Sequence, residues 1–174
     1  MKIEGRAKEV RLLILDVDGV LTDGSILIND RGQEVKAFHV KDGHGLRLLM
    51  DAGIHVALIS GRPSGAVRRR AEDLGIQGIH LGVKDKDSLL RGIINEQGLQ
   101  AEQVCCVGDD LPDLAMFQHA GLRIAVSDAA PEVKEAAHWV TLKKGGQGAV
   151  RDVCELILKA QGRWPHQEIP EREK

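Results

Sequence analysis

Asp16 and Asp18 stand two residues apart where an apolar run ends, in the segment LLILDVDGVLTDG at residues 12–24. Two carboxylates this close at the mouth of a buried strand repel each other and lose solvation. A bound cation would relieve both penalties. The pair also suits phosphoryl chemistry. One carboxylate can attack phosphorus to form an acyl-phosphate, which water then hydrolyses. Its neighbour can protonate the leaving oxygen and afterwards activate the water. A plainer reading of the same residues makes Asp18-Gly19 an ordinary turn and Asp16 a cap.

Three further groups follow later apolar runs: Ser60-Gly61-Arg62, the lysines Lys84 and Lys86, and Gly108-Asp109-Asp110. Ser60 can donate its hydroxyl to a phosphate oxygen, and the amides at Gly61 and the next helix start point the same way. Lys86 offers an ammonium point charge. Mg²⁺ prefers oxygen ligands and needs only two or three acids from the protein. Taken singly, Ser60 is better read as a helix cap, Lys86 as a solvated charge, and Asp110 and Asp113 as acids favoured at a helix start. All of them occurring in order, each just after a strand, is a different matter. At the carboxyl ends of a parallel sheet, Asp16, Asp18, Ser60, Lys86, Asp109 and Asp110 can converge.

The elements that must position them alternate. Buried strands are expected at residues 12–16, 54–60, 78–81, 103–107, 122–126 and 139–142. Helices are expected at 42–52, from Pro63 to Leu74, and at 85–97, 110–119, 131–137 and 147–160, with glycines or prolines as punctuation. Residues 25–40 break this rhythm. Asn29-Asp30-Arg31-Gly32 is turn chemistry between two alternating runs, which makes a β-hairpin. The expectation is therefore an α/β fold in one domain over residues 1–174. It is a doubly wound (Rossmann-like) parallel sheet with helices on both faces and a protruding hairpin. Both hairpin faces carry apolar residues, and two strands alone are not stable in water, so a partner subunit is expected to cover one face. Residues 163–174, charged and with two prolines, are expected to be mobile.

Composition narrows the function. The chain has 174 residues, a net charge of -2, no Tyr, two Trp and two Phe. No basic field points to nucleic acid or anionic lipid, and no aromatic platform exists for stacking bases. Three cysteines without CxxC spacing read as buried thiols in a reducing cytoplasm. No signal peptide or membrane-length segment is evident.

DVDGVLTDG, ISGR, the lysine of VKDK and GDDLPDL together resemble the four motifs of the haloacid dehalogenase superfamily of phosphohydrolases, over residues 12 to about 160. The resemblance implies Asp16 as nucleophile and Asp18 as general acid/base. It implies Mg²⁺ held by Asp16, the main-chain carbonyl of Asp18 and Asp109, and phosphate held by Ser60, Gly61 and Lys86. Neither interval, 18–60 nor 60–86, has room for a cap domain, so the chain resembles the capless subclass, whose members close the site with a neighbouring subunit. FHVKDGHGLRLL, ISGRPSGAVRRRAEDLGI and GGQGAVRDVCELILKAQG are similar to a homotetrameric branch of that subclass. Its members hydrolyse a phosphorylated eight-carbon sugar acid of lipopolysaccharide synthesis. Matching positions imply contacts to that small anionic sugar phosphate from His39, Val40, Lys41, Asp42, Gly43, Arg47, Arg62, Arg70 and Lys86. Arginines suit carboxylate and phosphate, which they bind bidentately. His39 stands where many members carry Asn. Arg62 favours the eight-carbon sugar over the nine-carbon, sialic-acid type. A phospho-Asp receiver-like signalling module would use similar residues, but with its phosphorylated Asp further along the sheet. A catalytically silent subunit is disfavoured because no motif is missing.

Overall fold

The order of strands in the sheet explains where the site must form. In the computed structural model, which describes residues 2–165, six parallel strands make one sheet. They are β1 (Leu12–Leu15), β4 (His55–Ser60), β5 (Gly78–Leu81), β6 (Val104–Gly108), β7 (Leu122–Ala125) and β8 (Trp139–Val140). They run in the order β5-β4-β1-β6-β7-β8. The chain winds outward from β1 through β4 to β5, then returns to β6 on the other side of β1. The winding direction therefore reverses beside β1, and at such a switch point a crevice opens beyond the carboxyl ends of the strands. Leu12, Leu13, Ile14 and Leu15 are all fully buried, as are Val104, Cys105, Cys106 and Val107. Continuous apolar strands of this kind require cover on both faces.

Helices α1 (Ile3–Glu9), α2 (Val40–Asp51), α3 (Gly65–Leu74) and α7 (Ala149–Ala160) pack with one another on one face. On the other, α5 (Leu114–Phe117) packs against both α4 (Lys86–Gln97) and α6 (Pro131–Ala136). The amphipathic α7 buries Val150, Val153, Cys154, Ile157 and Leu158. The doubly wound architecture without a cap domain is as expected.

Several boundaries differ from the sequence reading. Helix α1 was not expected. It is seven residues long and mostly charged, and it is held by Ala7 in the core and by Arg6 Nη1, which donates to the Gly121 carbonyl at 2.7 Å. Pro63 does not open α3. Ser64 is the N-cap, its hydroxyl accepting from Val67 N at 3.4 Å. The expected helix at 110–119 is a 3₁₀ turn at Leu111–Asp113 followed by the single turn of α5. The hairpin is confined to β2 (Leu27–Ile28) and β3 (Glu34–Val35), paired antiparallel, and Val40 already belongs to α2. At the start of the expected tail, Arg163 and Trp164 contact the body of the protein. Arg163 Nη1 donates to the Ala52 carbonyl at 2.7 Å, and Trp164 lies under the Arg151 guanidinium, 4.8 Å from its ring centre. The remainder of the expected mobile tail lies outside the described residues.

Candidate active site

Asp16 follows the last residue of β1, and its own amide still donates to the Val107 carbonyl at 3.1 Å. The carboxylate is thus held at the strand end between two buried neighbours. The loop beyond is shaped by Thr22, whose Oγ1 accepts from Gly19 N at 3.3 Å and Gly24 N at 3.2 Å. Gly19 takes a φ of +96°, a value that favours glycine. A second pair of glycines supports this loop from behind. Gly146 N donates to the Val20 carbonyl at 3.0 Å, and a Cβ on Gly145 would meet the Gly19 carbonyl oxygen at 1.7 Å. Gly145 and Gly146 of the GGQG segment are therefore required for close backbone approach.

Ser60 ends β4 and is buried. Its Oγ accepts from Arg62 N at 3.2 Å. Ser64 performs the capping of α3, so the capping role does not account for Ser60. Asp85 caps α4, accepting from Ser88 N at 3.0 Å, which places Lys86 at the first helical position. Lys86 is buried, with Nζ 2.6 Å from Asp16 Oδ1 and 2.8 Å from Asp113 Oδ1. A solvated surface lysine is thereby excluded. At the end of β6, Asp113 Oδ2 accepts from Asp109 N at 2.9 Å and from Asp110 N at 3.3 Å, folding the GDDLPD segment into a tight cradle.

Asp16, Asp18, Ser60, Gly61, Arg62, Lys86, Asp109, Asp110, Pro112 and Asp113 line one open cleft of about 260 Å³. The four sequence motifs meet there. Asp113 was read from the sequence only as an acid favouring a helix start. Its spacing four residues after Asp109 was the available signal, but its contact with Lys86 is tertiary. Lys36 was also missed. It reaches from the hairpin to hydrogen-bond Asp18 Oδ1, and its Nζ lies 2.6 Å from Glu34 Oε1.

Electrostatics in the cleft are unbalanced. Burial, reinforced by the charge of Asp113 and opposed by Lys86, raises the pKa of Asp16 to about 7. Burial and the charges of Asp16, Asp113 and Asp110 push Asp109 up to about 8. Burial works against the charge of Lys86, yet the Asp16 and Asp113 carboxylates hold its pKa above the ordinary lysine value. One ammonium thus faces three carboxylates whose oxygens approach within 4.8 Å of one another. Such a surplus of buried, hard oxygen donors fits a divalent cation of the Mg²⁺ type.

The expected sugar-binding set divides. Arg62 and Lys86 lie in the cleft. His39, Asp42, Gly43 and Arg70 instead border a separate, mostly apolar cavity between α2 and α3, with Leu58, Val67 and Leu74. Asp42 is only 1% exposed. Its carboxylate accepts from Arg151 N at 2.8 Å and Gly148 N at 3.3 Å, so it satisfies the first turn of α7. Val40 and Lys41 are exposed at the start of α2, and Arg47 Nη2 donates to the Asp73 carbonyl at 2.6 Å. Within one chain these residues do not join the Asp16 cleft.

Comparison with known proteins agrees with this geometry. The haloacid dehalogenase-like hydrolase family model matches residues 79–153. The chain is 47% identical over 156 residues to 3-deoxy-D-manno-octulosonate 8-phosphate phosphatase of Yersinia pestis, covering 90% of this chain and 83% of that one. It is 44% identical over 158 residues to the phosphatase of the same name from Escherichia coli K12, covering 91% and 84%. Among solved structures, the phosphatase of that name from Moraxella catarrhalis, in complex with magnesium, phosphate and KDO, superposes with a TM-score of 0.90 at 46% identity, covering 92% of each chain. A cobalt-bound Haemophilus influenzae phosphatase superposes with a TM-score of 0.87 at 43% identity, covering 90% of this chain and 92% of that one.

Proposed function

The chain belongs to the 3-deoxy-D-manno-octulosonate 8-phosphate phosphatase family of haloacid dehalogenase-like hydrolases, and we propose that it hydrolyses that sugar phosphate with Asp16 as nucleophile and Asp18 as general acid and base. The observation that carries this reading is the meeting of Asp16, Asp18, Ser60, Lys86 and Asp109 in one cleft at the switch point of the sheet.

Asp16, Asp109 and the main-chain carbonyl of Asp18 would hold Mg²⁺. When bound, the ion supplies positive charge that lets an anionic carboxylate approach an anionic phosphate. Lys86 holds Asp16 Oδ1 on one side, which leaves Oδ2 to attack phosphorus. Ser60 Oγ and the amide of Gly61 donate to the phosphoryl oxygens. Asp18 gives its proton to the sugar oxygen as that O–P bond breaks and the bond from Asp16 to phosphorus forms. It then takes a proton from water as water attacks the phosphoryl group and Asp16 is released. The balance is one ester and one water consumed, one sugar and one phosphate formed. Asp113 touches no substrate in this scheme. It anchors Lys86 and the backbone that presents Asp109.

We read the chain as one catalytic domain acting in the cytoplasm as a homotetramer. No helix among the described residues is long and apolar enough to cross a membrane. The hairpin exposes Ile26, Leu27, Ile28 and Val35, a surface that a second copy of the chain would cover. In that assembly His39, Val40, Lys41, Gly43, Arg47 and Arg70 would serve a neighbouring subunit's cleft rather than their own.

The test is phosphate release from a panel of sugar acid phosphates with and without EDTA. Turnover is expected to require Mg²⁺, to favour the eight-carbon 8-phosphate over nine-carbon acids, and to vanish in a folded Asp16→Asn variant. Equal weak activity across the panel would sink the substrate assignment.

A further inference from the structure

The hairpin is built inside out. In an extended strand, residues two apart share a face, so Glu34 and Lys36 point one way and Val35 the other. Here the charged face turns toward the body of the protein and the apolar Val35 is left exposed. Only 1% of the Lys36 side chain is exposed. Its Nζ donates to Asp18 Oδ1 and lies 2.6 Å from Glu34 Oε1. Arg62, from the loop after β4, lies alongside, with Nε 3.9 Å from Asp18 Oδ2 and Nη2 3.8 Å from Glu34 Oε1. A desolvated ammonium needs such partners. Two acidic and two basic side chains thus join the loops after β1 and β4 to a hairpin whose own ladder is two residue pairs long.

We propose that Lys36 is a positioning residue for Asp18: by donating to Oδ1 it fixes the carboxyl plane and leaves Oδ2 as the oxygen that delivers the proton to the leaving group. This rests on the acid/base role proposed above for Asp18. The proton on Oδ2 passes to the ester oxygen as the O–P bond breaks, and in the second half-reaction Oδ2 accepts a proton from water. Oδ1 exchanges no proton in either step. Without Lys36 the Asp18 carboxyl loses its hydrogen bond and keeps only the 3.9 Å approach of Arg62, and the oxygen facing the ester is no longer specified. The hairpin then acts as an arm of the active site as well as an apolar surface.

A positioning role for a general acid is read from the leaving group, because a good leaving group departs without a proton. The full-length Mg²⁺-loaded enzyme, Lys36→Met, Lys36→Arg and Asp18→Asn are assayed on the eight-carbon sugar acid phosphate and on p-nitrophenyl phosphate. Lys36→Met is expected to lower kcat on the sugar phosphate by about 100-fold, the low end of what a general acid contributes, with little change in KM. On the aryl phosphate its loss should stay within about 5-fold. Lys36→Arg, which keeps a charged donor, should recover most of the sugar phosphate activity. Equal losses on both substrates, a rise confined to KM, or full activity of Lys36→Met beside an inactive Asp18→Asn would overturn the inference and leave the proposed function standing. An Asp18→Asn enzyme that retains full activity would instead remove the reading on which the inference rests. Should Lys36→Met fail to fold, Lys36→Gln, one atom too short to reach Asp18, carries the same two-substrate comparison.

Discussion

A Cβ placed on Gly19 would lie 2.0 Å from Oδ2 of Asp109, so the loops after β1 and β6 touch through a position that only hydrogen can occupy. This approach brings the Asp16 and Asp109 carboxylates to one cluster, and it comes on top of the φ of +96° at the same residue.

Gly19→Ala is therefore expected to cost about 1–3 kcal/mol of stability from backbone strain alone. It should also displace Asp109 and weaken Mg²⁺ binding. Thermal unfolding of the metal-free variant reads the first effect and calorimetric Mg²⁺ titration the second. Wild-type metal affinity in the variant would show that the two loops separate without consequence.

Asp16 near 7 and Asp109 near 8 give the metal-free protein an unusual pH response. Unfolded, both titrate near 4. A pKa raised by folding favours the folded state while the group is protonated, and that advantage fades as pH climbs from about 4 through 8. In EDTA, the unfolding temperature should fall between pH 5.5 and pH 8.5. Mg²⁺ competes with those protons, so the rise in unfolding temperature on adding Mg²⁺ should be larger at pH 8.5 than at pH 6. An equal Mg²⁺ effect at both would mean the carboxylates are already charged in the metal-free site.

The strands and the polar residues that end them were legible because β1 and β6 are unbroken apolar runs and β4 is one after His55, each stopping at a polar residue. Position along the chain was then enough to place Asp16, Ser60 and Asp109 on one edge of a parallel sheet. The roles of Asp113 and Lys36 were not legible, because each is defined by a contact far away in sequence, with Lys86 and with Asp18. The helix expected at 110–119 shortened for a similar reason. Asp113 takes the amides of Asp109 and Asp110, and the chain tightens into a 3₁₀ turn before α5 can begin. Asp42 is the reverse case. Motif matching assigned it to substrate, while the packing of α2 against α7 gives its carboxylate two backbone amides.

Asp42→Ala separates those two accounts. Loss of a buried cap leaves the Gly148 and Arg151 amides without acceptors and is expected to destabilise the protein by about 1–3 kcal/mol. If capping is its whole role, the folded variant at low temperature keeps its KM for the sugar phosphate. A KM rise of tenfold or more in a variant with unchanged unfolding temperature would return Asp42 to the substrate.

The hairpin carries the last prediction. Ile28 is 67% exposed and Leu27 53%, on a two-pair ladder that solvent alone would not sustain. If a second copy covers this surface, a charge there costs assembly without touching the buried core. Ile28→Asp is expected to reduce the mass measured by light scattering toward 19 kDa while α/β secondary structure, read by circular dichroism, is retained. Activity should fall with the mass, because His39, Arg47 and Arg70 would no longer reach a neighbouring cleft. Their loss removes binding groups for the sugar acid rather than the reacting carboxylates, so the sugar phosphate should suffer mainly in KM, and p-nitrophenyl phosphate should be hydrolysed nearly as before. A wild-type protein that already runs as a monomer would refute the assembly, and a dissociated Ile28→Asp variant with unchanged KM would refute the sharing of residues between subunits.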